Sequence, residues 1–134
     1  MLIIVGFYIS QCAIADWVEM PMDSEDRLYV NESSLQSSAT NAQLTWIIDL
    51  QKPSWTKFKG SRREGFSYSS KKFVGEYNCS NPSFRILHLS FYSGPLGKGS
   101  EYEDQQSDAG SKWLELSYGH QEWKITWAIA CGKK

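Results

Sequence analysis

The segment AQLTWIIDLQ, Ala42 to Gln51, alternates so that Leu44, Trp46, Ile48 and Leu50 share one face while Thr45 and Asp49 take the other. Successive side chains of a strand point to opposite faces, so this pattern marks a strand half-buried against a core. SFRILHLSFYS, Ser83 to Ser93, repeats the signal: Leu87, Leu89 and Phe91 fall on one face, and Ile86, His88 and Ser90 on the other. FSYSSKKFVGEYNCS, Phe66 to Ser80, reads as a further strand with Tyr77 and Cys79 pointing the same way. From Asp16 onward the chain therefore reads as β structure with one helical end. DWVEMPM and DRLYVN flank the acidic Asp23–Asp26 as a hairpin. ESSLQSSATN is a polar connection with one helical turn over Glu32 to Leu35. KPSWTKFKGSRREG, broken by Pro53 and Gly60, is a loop or a long hairpin arm.

The C-terminal HQEWKITWAIACG carries two periods at once. Trp123, Ile125, Trp127 and Ile129 alternate as in a strand, while Trp123, Trp127, Ala130 and Cys131 form the stripe of an amphipathic helix. Ser117 as a cap, and Gly132 followed by two lysines, suit helix ends, and the length favours helix over Gln121 to Cys131.

The first fifteen residues, MLIIVGFYISQCAIA, are apolar and uncharged, end in the small-x-small Ala13-Ile14-Ala15 and are followed by Asp16. They are too short to span a bilayer as a helix. We read 1–15 as a signal peptide and 16–134 as a single domain; a buried N-terminal strand is the other reading, because no Lys or Arg precedes the apolar run. Lipid attachment at Cys12 ranks behind cleavage, since Ile-Ser-Gln lacks a small residue next to that cysteine. Removing the leader leaves Cys79 and Cys131, which in an oxidising compartment form one disulfide. It closes a loop of about fifty residues and, on the chain-entropy argument, stabilises the fold by about 4 kcal/mol. Without export the same cysteines are buried free thiols, so the two expectations stand together.

A length of 134 residues suits one domain, and 41% hydrophobic residues with six tryptophans supply a core. A formal charge of −1 gives no general pull toward nucleic acid or anionic membrane. The glycine-rich FYSGPLGKGSEYED is not a phosphate cradle. Only Pro95 and Leu96 separate Gly94 from Gly97-Lys98, fewer than a P-loop needs, and Pro95 removes a backbone donor. It reads as the turn between RILHLSFYS and SEYE. The catalytic inventory is thin: two histidines, His88 and His120, no nucleophile elbow and no zinc-ligand spacing. The acidic clusters lack the alternating pattern of a calcium loop. We expect no enzyme, no metal and no small-molecule cofactor.

The most distinctive patch is KPSWTKFKGSRR. Lys52, Lys57, Lys59, Arg62 and Arg63 occur there without an acid, interleaved with Trp55 and Phe58. Cations set between aromatics grip an anionic partner by charge and stacking together; the plainer reading is a solvated loop whose lysines protect a sheet edge. Acids at Asp23–Asp26 and Glu101–Asp108 balance the patch, so the surface is polarised, favouring an anionic macromolecule or a second copy over nucleic acid.

In order along the chain, DWVEM, RLYVNESSL, TWIIDLQKP, YSSKKFVGEYNCS, FRILHLSFYSGPLGKG and a Trp113-containing stretch leading to Cys131 resemble the surface-adhesin protein E family of bacterial envelope proteins. The most specific pieces are Glu76 to Cys79, Arg85 beyond them, and the glycine turn of Tyr92 to Gly99. The resemblance implies an α+β fold: a small antiparallel β-sheet with a C-terminal helix packed on one face and tied to it by the two cysteines. It also implies a non-enzymatic binding module of a Gram-negative envelope, in the periplasm or at the cell surface. Its namesake is an outer-membrane lipoprotein adhesin that binds matrix proteins and plasminogen and can dimerise, so extracellular matrix macromolecules and a homodimer are the partners implied. A periplasmic structural or assembly protein is the alternative.

Overall fold

The computed structural model describes residues 17–57, 65–103 and 112–132. Among the described residues seven antiparallel strands form one sheet: β1 (Trp17–Met20), β2 (Arg27–Ser38), β3 (Asn41–Thr56), β4 (Phe66–Asn78), β5 (Ser83–Tyr92), β6 (Glu101–Glu103) and β7 (Leu114–Glu115). They lie in chain order from β1 to β6, with β7 also on β5, and the helix α1 (Gln121–Ala130) follows. This is the α+β arrangement expected. The leader reading and Cys12 lie outside the described residues.

Short turns join β1 to β2 through Asp23–Asp26 and β2 to β3 through Ala39 and Thr40, so that Val18 comes opposite Val30 and Ser38 opposite Asn41. β2 runs straight through Glu32 to Leu35, correcting the helical turn expected there. The register shifts between Asn31 and Gln36 instead. The reason is local: Asn31 Oδ1 accepts from the Ser33 N–H at 3.1 Å, while Ser34 Oγ donates to Asn31 O and accepts the Thr45 N–H. These polar side chains satisfy a bulge rather than a helix.

A second bulge corrects the faces assigned to β5. Gly75 pairs with Ile86 but Val74 with His88, leaving Leu87 as the extra residue. The alternation changes phase there, so Ile86 and Leu89, not Leu87 and Leu89, pack against the core with Phe84. The β3 pattern holds: Leu44, Trp46 and Ile48 are buried, and Leu50 packs against them.

α1 covers this face by inserting Trp123. Its indole stacks on Phe84 at 4.2 Å and meets Trp46 edge-on at 4.8 Å, while Trp46 stacks on Phe73 at 4.3 Å. Gly75 makes room, because a methyl at that position would lie 3.0 Å from Trp123 and 2.7 Å from the Tyr77 hydroxyl. His120, not Ser117, occupies the N-cap, and without a side-chain cap; Ser117 lies in the preceding 3-10 turn. Gly132 ends the helix at φ 67°, where a side chain would be strained.

A buried polar chain runs from sheet to helix. Trp46 Nε1 donates to Tyr77 Oη at 2.9 Å, and Tyr77 donates to Thr126 Oγ1 at 2.6 Å. Thr126 donates in turn to the Glu122 carbonyl at 2.8 Å. Burial pushes the Tyr77 phenol well above its ordinary range, partly offset by the bonds to Thr126 and Trp46. At the other end Trp127 Nε1 donates to the Asn78 carbonyl at 3.0 Å, beside the Cys79–Cys131 disulfide, whose Cα atoms are 5.5 Å apart.

Candidate binding surface

β3 and β4 outrun the helix. Beyond a register shift between Asp49 and Ser54 they continue as a two-stranded arm, with Ser54 opposite Tyr68, Trp55 opposite Ser67 and Thr56 opposite Phe66. Lys52, Trp55 and Lys57 are all exposed on it, Trp55 at 64%. Of the expected site residues, Phe58, Lys59, Arg62 and Arg63 lie outside the described residues.

The arm is anchored by aromatics that the sequence reading did not group. Phe66 stacks on Tyr102 at 4.0 Å and meets Phe91 edge-on at 5.8 Å, and Tyr68 meets Phe91 at 4.8 Å. Alternation puts Trp55 on the opposite face from Phe66, since its cross-strand neighbour is Ser67. There the indole lies across Gly65: a methyl on that glycine would fall 1.9 Å from Trp55 Cζ2. The aromatic spacing of FSYS against SEYE was the available signal for the anchor; nothing in the sequence signalled the seat at Gly65.

The glycine turn is a structural brace. Its amides are engaged: Leu96 N–H donates to Asp49 Oδ1 at 3.0 Å, Gly97 N–H to Ser70 Oγ at 2.9 Å, and Gly94 N–H to the Lys98 carbonyl at 2.9 Å. Ser70 Oγ also donates to the Gly94 carbonyl at 2.7 Å. Leu96 takes the left-handed conformation at φ 53° to make this fit, with Gly97 at 71° and Gly99 at 85°.

The histidines are apart. His120 is exposed at the start of α1. His88 Nε2 lies 3.1 Å from Glu103 Oε1 and 3.4 Å from Ser90 Oγ. Serine and carboxylate approach the same ring nitrogen, so this imidazole does not relay a proton from one to the other as a triad does. Tyr92 donates to Glu101 nearby; burial first, and that bond second, push its phenol up to about 12. Among the described residues no group of three or more His, Cys, Asp and Glu gathers as a metal site, and no helix is long and apolar enough to cross a membrane. A shallow cleft of about 290 Å³ separates the Met22–Asp26 turn from the start of α1, and Asp23 N–H bridges to Gln121 Oε1 at 2.9 Å.

A family model described as surface-adhesin protein E matches residues 17–132. No curated protein sequence matches the chain. Among solved structures, crystal form II of Haemophilus influenzae protein E superposes with a TM-score of 0.64 at 13% identity, covering 88% of each chain. Protein E from non-typeable Haemophilus influenzae gives 0.61 at 14% identity, covering 88% of this chain and 76% of that one. At such identities the likeness shows a common fold.

Proposed function

The chain belongs to the surface-adhesin protein E family, and from that membership we propose an exported, adhesin-like binding module of a Gram-negative envelope. Residues 1–15 serve as its leader and 16–134 as one domain. Its binding surface is the basic arm, with Lys52, Trp55, Lys57, Phe58, Lys59, Arg62 and Arg63 meeting an anionic extracellular macromolecule. One observation carries this reading: an anchored hairpin presents a 64%-exposed tryptophan among exposed lysines. Solvation alone accounts for the lysines but not for the indole. The test reverses the five cations of the arm to glutamate and measures binding to immobilised matrix proteins. Binding should fall at least about tenfold, the loss of a central anchor; unchanged binding removes the reading.

A second reading, an assembly protein of the periplasm, is favoured by β1, an edge strand whose outer side carries no partner among the described residues. That edge would dimerise or cover a partner, and a monomer in sedimentation velocity at millimolar concentration counts against the dimer form.

A further inference from the structure

We propose that Trp55 is a stacking platform for a pyranose ring of an acidic glycan, with Lys52 and Lys57 meeting that glycan's carboxylate or sulfate groups. This rests on the arm being the binding surface and names the class of its partner. The inner face of the indole is already occupied by the bare backbone of Gly65, where a methyl would come within 1.9 Å of Cζ2 and 2.2 Å of Cε2. Its outer face is open to solvent. A ring held flat on a strand pair loses little freedom on binding. The arm does not need Trp55 for its own packing, because Phe66 and Tyr68 anchor the opposite face.

The surroundings choose the ligand. Ser67, cross-strand from Trp55, is polar and exposed, as are Lys52, Ser54 and Lys57 along the same strand end. A protein partner needs an apolar core around its anchor, and a lipid surface needs a continuous apolar face; this site offers one ring in a polar rim. A pyranose ring has the matching shape: C–H groups on one face, which favour the electron-rich face of an indole, and hydroxyls around its edge for serines and lysines. The described parts of the arm, Gln51 to Lys57 and Gly65 to Ser70, contain no acid, which supplies the charge complementarity for an anionic sugar.

The experiment titrates the full mature protein, ¹⁵N-labelled at its indoles, with a chondroitin sulfate hexasaccharide and, separately, with maltohexaose. The Trp55 indole N–H resonance should move with the acidic sugar while those of buried Trp46 and Trp123 stay. Trp55→Ala should weaken the affinity about tenfold and Trp55→Phe about threefold, with unchanged melting. Gly65→Ala, which unseats the ring without altering charge, should approach the alanine variant. Wild-type affinity in Trp55→Ala overturns the platform, and an equal response to maltohexaose overturns the acidic class. If Lys52→Glu/Lys57→Glu loses matrix binding while Trp55→Ala keeps the hexasaccharide, this inference fails and the basic arm stands; if neither variant changes binding, both fail.

Discussion

Two tryptophans of one strand show how differently the halves of this sheet are used. Trp46 is fully buried, stacked on Phe73, crossed by Trp123 and hydrogen-bonded to Tyr77. Trp55, further along β3, faces a glycine and lies 64% exposed. Composition and strand are shared; the difference is what lies across from each ring. Under the helix the sheet spends its aromatics on cohesion, while past the bulge between Asp49 and Ser54 it holds one aromatic outward on a braced arm. On the proposed function, stability and recognition are thus separated along the same two strands.

That separation breaks most visibly at Trp123. Trp123→Ala should cost about 3–5 kcal/mol in denaturant unfolding, because it empties the centre of the core, whereas Trp55→Ala should stay within about 0.5 kcal/mol. Comparable losses in the two would abolish the contrast. Removing both cysteines (Cys79→Ser with Cys131→Ser) should cost about 4 kcal/mol for a bridge spanning 52 residues, read as a drop in Tm that reductant reproduces in the wild type. The arm should keep its ligand-binding affinity at temperatures where this variant remains folded. Tyr77→Phe should cost about 1–3 kcal/mol, since it strands Trp46 Nε1 and leaves Thr126 without its donor. A neutral result would mean that the polar chain between sheet and helix contributes no net stability. The smallest effect is alkaline. Tyr92, pushed up to about 12, and Tyr77, raised further by burial, favour the neutral phenol in the folded state. Their contribution is fully present below the unfolded value of about 10 and is lost as pH rises toward and past 12. Absorbance titration of tyrosinate should show two late-ionising phenols, with Tyr92→Phe removing one.

The sequence was legible where side chains alternated without interruption, as on β3, and where end signals backed a helix, as at Gln121 to Ala130. It misled where one residue was inserted. Leu87 reads as core by strict alternation, yet a bulge shifts the phase, and no local residue marks that event because the extra leucine is itself apolar. The turn expected at Glu32 to Leu35 failed for the opposite reason: asparagine and serines that suit turns were used to stitch a bulged strand. Of the candidate site, the cations and Trp55 were readable as composition. The anchor that holds the arm was not, since Phe66 and Tyr102 are far apart in the chain and meet only through sheet order.

The bridge at Cys131 grips the helix at its C-terminal end alone. Toward its start, the Asp23 N–H donates to the Gln121 side-chain Oε1 at 2.9 Å, and the segment entering the helix pairs with β5 through Leu114 and Glu115. α1 is therefore held to the sheet by a covalent bond at its far end and by hydrogen bonds at its near end. A local opening leaves the C-terminal end tied at Cys79, and that tether shortens the search back to the same seat.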